Sequence, residues 1–379
     1  MPNPAFYEGR EQALVKHSFI ERYLRDQLPK VASFGSYAFV DLFAGPWKSR
    51  CPQFSDTSFG IAIEQMRAAK RIQKSLGKDV RMTAHLVEKN NFAELAAAVV
   101  GIDDIDVHIY QGRAEDHAAD IHRKIGNDGF RFVVIDPKGV PDPAYFADLI
   151  RAPKTEVLIN FMFQFANRFA HTDKMPPLVN WLSLVAPDRD WQAELKDLTR
   201  QEREDNITNM ARGALAKMGG FRFAPSITVD EADADRTLYK LIYLTRHELG
   251  LKVFRDAQSL ALGVQAAIRS GRKAEKRRDV SGMNDLFAAQ GTVDHSERSA
   301  QLMERGRRAG KKMAFEIVRE SGAGGILWKD LWTQVLDAWP ITEKDLAWEC
   351  AAWKRESKVS VEGWGNSRRP GDHHRVIAV

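Results

Sequence analysis

The chain has 379 residues, 44% of them hydrophobic and 28% charged, with a formal net charge of +5 and a mean hydropathy of −0.39, which is room for two or three domains of an ordinary globular protein. No stretch approaches the run of about 18 apolar residues that a membrane helix needs, and the opening MPNPAFYEGREQ has no apolar signal core, so the sequence excludes a membrane protein and predicts a cytoplasmic one. Cys51 and Cys350 are its only cysteines and lie far apart, which predicts reduced thiols and neither a disulfide framework nor a structural zinc site.

Residues 11 to 30 place Leu14, Phe19, Ile20, Tyr23, Leu24 and Leu28 at helical spacing and predict an amphipathic helix ending at Pro29. Lys16 and His17 on this helix face either a phosphate-bearing ligand or solvent. YAFVDLFAGPW, residues 37 to 47, reads as a buried strand that ends on Asp41 and breaks at Ala44-Gly45-Pro46. Such a strand end is where open α/β sheets bind ligands, and a glycine there lets the backbone approach one closely; the same pattern also fits an ordinary buried strand with a Gly-Pro turn. A polar loop over 48 to 58 leads to a helix in SFGIAIEQMRAAKRIQKSL. A second strand, VRMTAHLVEKN, ends on Glu88, where a dinucleotide or adenosyl cofactor has its ribose hydroxyls accepted or where a strand simply terminates in a charge.

The alternation continues with a helix at NFAELAAAVV, a strand at IDVHIYQG and a helix entered through Arg113, Ala114, Glu115 and Asp116, whose acids also suit a helix N-terminus. FRFVVIDPKGVPD forms a fourth strand ending at Asp136-Pro137, and TEVLINFMFQFANRF a fifth that runs into Asn160. Residues 175 to 220 read as a helical insertion, and RFAPSITV with TLYKLIYLTRH as two closing strands. This rhythm predicts an α/β, Rossmann-like, doubly wound and mostly parallel sheet over residues 1–265. Carboxylates at four successive strand ends argue for a ligand site. The lack of GxGxxG after the first strand counts against a nicotinamide dehydrogenase, and Asp136-Pro137-Lys138 alone is too little for a nuclease.

From residue 266 the texture changes. Residues 271 to 312 hold 11 Lys/Arg against 6 Asp/Glu, including GRKAEKRR and RGRRAGKK. A basic helical linker over 266–312 is predicted, with Arg277, Arg278, Arg307 and Arg308 as contacts to a phosphate backbone or as a solvated tract. Residues 313–379 regain a core pattern of three helices, the last capped by Thr342 and facing inward through Leu346, Cys350 and Trp353, followed by a hairpin with basic residues at its tip. Three helices and a β-wing describe a winged-helix domain, with the second-to-last helix as recognition element and Arg368 and Arg369 as wing contacts; such domains also dock proteins.

YAFVDLFAGPW resembles motif I of the class I S-adenosylmethionine-dependent methyltransferases, with Trp47 where a second glycine is usual. Together, KHSFIERYL, FVDLFAGPW, VVIDPKG, LINFMFQFANRF and LTRHELGLK resemble the three-Cys-motif partner family across nearly the whole chain. The resemblance implies a sheet of class I methyltransferase type with a winged-helix tail, an S-adenosylmethionine cofactor held by Asp41, Ala44, Gly45, Glu88, Glu115 and Asp116, and a three-Cys-motif protein encoded nearby as partner. In methyltransferases an acid at the position of Glu115 and Asp116 accepts from the adenine amino group. Asp136, Pro137 and Asn160 are then the catalytic candidates, Asp136 orienting a target amine and Phe161 or Phe163 stacking on a base. The expected activity is methyl transfer to nucleic acid, and the alternative is a non-catalytic nucleotide- or nucleic-acid-binding partner protein with the same fold.

Overall fold

The computed structural model describes residues 2–45, 49–137, 139, 142–162, 190–281, 298–365, 367 and 369–379, with only the backbone described at 191–192 and 275–281. Trp47, Lys138, Phe163 and residues 175–189 of the expected insertion lie outside them. The chain forms two compact units, Met1–His247 and Glu248–Val379.

In the first unit the elements run α1 (Glu11–Val31), β1 (Tyr37–Asp41), α2 (Ser58–Ser75), β2 (Met82–Glu88), α3 (Phe92–Val99), β3 (Asp106–Gln111), α4 (Ala114–Ile125), β4 (Phe130–Ile135), α5 (Ala147–Arg151), β5 (Thr155–Phe161), α6 (Trp191–Leu195), α7 (Arg200–Gly219), β6 (Ser226–Asp230) and β7 (Thr237–Leu244). The strands form one sheet in the order β3-β2-β1-β4-β5-β7-β6. Every pair among β1 to β5 is parallel, and only β7 runs antiparallel to its neighbours. Parallel strands covered on both faces need apolar side chains on both, and β1 is buried at all five positions.

Alternation along the strands divides the core in two. Phe39 and Phe132 face α1, where Tyr23 stacks 5.0 Å from Phe132. Val40, Val133, Val157 and Ile159 face the other way and pack with Ala118 and Ile121 of α4 and Ile207 and Leu215 of α7. The α1 face also encloses Glu156, which accepts from Tyr23, from Gln27 at 3.1 Å and from Thr245 at 2.9 Å, while Tyr243 meets the Tyr23 hydroxyl at 2.6 Å. This network ties α1 to β5 and to the antiparallel β7. Helix α1 runs past the predicted stop, with Pro29 inside its last turn.

The second unit begins with the 34-residue α8 (Glu248–Ser281) and continues with α9 (Arg298–Glu320), β8 (Ile326–Leu327), α10 (Trp328–Ala338), α11 (Glu343–Arg355), β9 (Val359–Glu362) and β10 (Arg375–Ala378). Helix α8 passes unbroken through residue 265, where composition changes. The three strands form an antiparallel sheet in the order β8-β10-β9. Trp328, Leu331, Trp332, Leu336, Leu346 and Cys350 fill the core, and the Thr342 cap closes a reciprocal box with Asp345.

Candidate active site

Neighbours β1 and β4 feed connections to opposite sides of the sheet, and the carboxyl ends of two such strands leave a crevice between them. A cavity of about 760 Å³ opens there. The turn after β1 hangs from both neighbours: Leu42 N donates to Val134 O at 3.1 Å and Ala44 N to Val87 O at 2.8 Å. Gly45 reaches the cavity wall, while Ala44 is buried behind it.

Five strand ends contribute to this one wall. Glu88 closes β2, and its Oε1 accepts from the backbone N–H of Asn90 at 2.7 Å and of Asn91 at 2.8 Å. Its Oε2 has no hydrogen-bond partner among the described residues, so an oriented carboxylate oxygen remains for a ligand. Beyond β3, Gly112 has φ +138°, a conformation costly for other residues, and a Cβ there would meet Nε2 of His117 at 2.9 Å. This bend sets Glu115 of α4 on the wall. Asp116, one residue on, is not part of it.

Past β4, Asp136 and Pro137 reach the wall, joined by Asn160 of β5 and by Lys16 and His17 of α1. Asp136 Oδ1 accepts from Asn160 Nδ2 at 2.5 Å, and its Oδ2 forms an ion pair with Lys16. Asp136 keeps 25% of its side chain exposed, so the pair remains open to an incoming group. His17 Nδ1 lies 3.0 Å from the Tyr7 hydroxyl. Burial, reinforced by the charges of Lys16 and Arg10, holds this imidazole well below its ordinary pKa and therefore neutral.

Asp41 is fully buried and off the wall. It accepts from Phe43 N at 3.1 Å and from the Ser58 hydroxyl at the start of α2, and burial pushes its pKa up to about 6 against those bonds. Asp41 thus braces the β1 turn against α2 and presents no free oxygen to a cofactor. Phe161 is a second departure: it is buried with Val157 and Ile159 on the face opposite Asn160, so it does not stack on a base in the cavity.

Sequence reasoning missed Arg10, Asp56 and Ser58, all on the wall. Asp56, fully buried, accepts from Arg50 N at 2.8 Å and Ser49 Oγ at 2.5 Å and pairs with Arg10, which fastens the loop after β1 to the N-terminal segment. The only local signal was the cluster Asp56-Thr57-Ser58 before a helix; Thr57 caps α2 by accepting from Gly60 N at 3.1 Å. Gly60 is required here, since a Cβ would come within 2.0 Å of Phe54 O.

Of the residues expected to touch nucleic acid, Arg277, Arg278 and Arg368 have no described side chain. Arg307 pairs with Asp345 at 3.4 Å, Arg308 with Glu304 at 3.6 Å, and Arg369 is exposed. Helix α10, the expected recognition element, buries Trp328, Leu331, Trp332, Val335 and Leu336 and exposes Asp330 and Asp337, which repel a polyanion. Among the described residues no helix is long and apolar enough to cross a membrane. Compared with known protein families and with curated proteins, the chain matches none.

Proposed function

We propose that the chain is an S-adenosylmethionine-dependent methyltransferase acting on nucleic acid, with a three-Cys-motif protein as its partner. The observation that carries this reading is the convergence of Gly45, Glu88, Glu115, Asp136, Pro137 and Asn160, from five strand ends, on one cavity of about 760 Å³. The strand order, closed by an antiparallel β7, supports a sheet of class I methyltransferase type, and the helices and three-stranded sheet of the second unit support a winged-helix reading.

The donor set suits the cofactor. The free Oε2 of Glu88 accepts from ribose hydroxyls, Glu115 accepts from an adenine amino group, and Arg10 and Lys16 offer positive charge to a carboxylate. S-adenosylmethionine supplies a methyl group bound to a sulfonium, so alignment is the main task left to the protein. Asp136, held from two sides by Asn160 and Lys16, has a fixed orientation. A target amine donates to its carboxylate as Lys16 gives way, which points the nitrogen lone pair into the cavity.

One observation favours a second reading: both oxygens of Asp136 are already occupied, as suits a non-catalytic binding protein of the same fold. Transfer of a labelled methyl group to total DNA and RNA by the chain, with and without its partner, decides between them. Label in nucleic acid supports the enzyme; its absence under both conditions supports the binding protein.

A further inference from the structure

Helix α11 packs Leu346, Ala347, Cys350 and Trp353 inward. The opposite face carries Lys344, Trp348, Ala351, Ala352 and Arg355, spaced one helical turn apart. Trp348 is 62% exposed, and the Lys344 ammonium lies 5.0 Å from its ring centroid. Beyond β9, the Lys354 ammonium lies 4.7 Å from the ring centroid of Trp364.

Charge on this helix is segregated. Its three acids are engaged on other sides: Glu343 by Lys252 at 3.2 Å, Asp345 by Arg307 at 3.4 Å, and Glu349 by Lys311 at 2.8 Å. Lys344, Lys354 and Arg355 have no acidic partner among the described residues. The outer face is therefore cationic, with an indole at its centre and two alanines beside it, which leave room for a flat group.

We infer that this face binds an unpaired stretch of nucleic acid, a base stacking on Trp348 while backbone phosphates meet Lys344 and Arg355. The free cations argue for a polyanion. An exposed indole argues for unpaired bases, because a duplex offers only base edges in its grooves and an unstacked base offers a π face. A protein partner fits less well, since unpaired charge flanks the only large apolar group and interface cores are depleted of charge.

The inference rests on the nucleic-acid part of the function proposed above and deepens it to single-stranded targets. Fluorescence anisotropy of the full chain with labelled 20-nucleotide DNA and RNA single strands and with a duplex, over a range of salt, tests it. The single strand is expected to bind at least ~10-fold more tightly than the duplex, and Trp348→Ala to lower single-strand affinity by ~10-fold or more with an unchanged melting temperature. Lys344→Ala and Arg355→Ala should each reduce the salt slope by about 0.7. Preference for the duplex, or equal single-strand binding by wild type and Trp348→Ala, overturns the inference and leaves the wider nucleic-acid reading in place. No binding of any oligonucleotide at low salt overturns both.

Discussion

The two ends of the parallel sheet are built from the same strands and differ in what their polar groups have left to give. At the amino end a cavity of about 260 Å³ is lined by Thr83, His85, His108 and Lys124. It is rich in titratable groups, yet His85 has both ring nitrogens occupied, by the Tyr110 hydroxyl at 2.9 Å and the Thr83 hydroxyl at 3.2 Å, and Lys124 is paired with Asp120 at 3.3 Å. At the carboxyl end Glu88 keeps one oxygen unbound, and the Asp136–Lys16 pair stays partly exposed. Unspent hydrogen-bonding capacity, oriented by backbone, separates a binding site from a satisfied polar cluster.

The contrast is sharpened most by Asp136→Ala. Methyl transfer should fall ~100-fold or more while cofactor affinity stays within about twofold, because the lost contact orients the target and not the cofactor. Full transfer by the folded variant would move the chemistry to another strand end. Next is Asp56→Ala, which removes the buried carboxylate shared by Arg10, Ser49 and the Arg50 backbone. Urea unfolding should show a loss of about 3 kcal/mol, and an unchanged midpoint would mean that this anchor is idle.

The pH dependence separates the two ends by sign. Asp41 has a native pKa raised to about 6 from 3.8, so its stabilising contribution is complete below 3.8 and is lost as pH rises through 6. About two pKa units correspond to about 3 kcal/mol at most, and Asp41→Asn should remove this slope from the stability profile. His85 behaves oppositely: burial and the neighbouring His108 lower its pKa to about 3 from 6.5, so its contribution is complete above 6.5 and is lost as pH falls toward 3. The smallest effect is expected for His85→Ala, about 2 kcal/mol of stability from two lost hydrogen bonds, with ligand binding at the other end unchanged. A drop in cofactor affinity in that variant would break the distinction between the two ends.

Much of the carboxyl-end wall could be read in the sequence because apolar runs closed by Gly45, Glu88 and Asp136 mark strand ends, and an alternating topology brings strand ends together. The pairing of Arg10 with Asp56 could not, since it joins two polar segments 46 residues apart with no periodic signal. Asn160 and Phe161 are adjacent, and strand alternation sends them to opposite faces, so only one of the two can meet the cavity. The basic tract misled for a related reason. Its charges look free in sequence, but Arg307 and Arg308 find acids in the folded chain, and the unpaired cations stand instead on α11.

The central claim is that the cavity at the carboxyl ends of the strands takes an adenosyl cofactor through Glu88. Isothermal titration calorimetry with S-adenosylmethionine or its demethylated product tests it most directly. One site per chain is predicted, with affinity reduced by about 1.5 to 3 kcal/mol in Glu88→Ala, the cost of a lost charge-assisted hydrogen bond. No heat and no thermal stabilisation at millimolar ligand, or full affinity in Glu88→Ala, would contradict it.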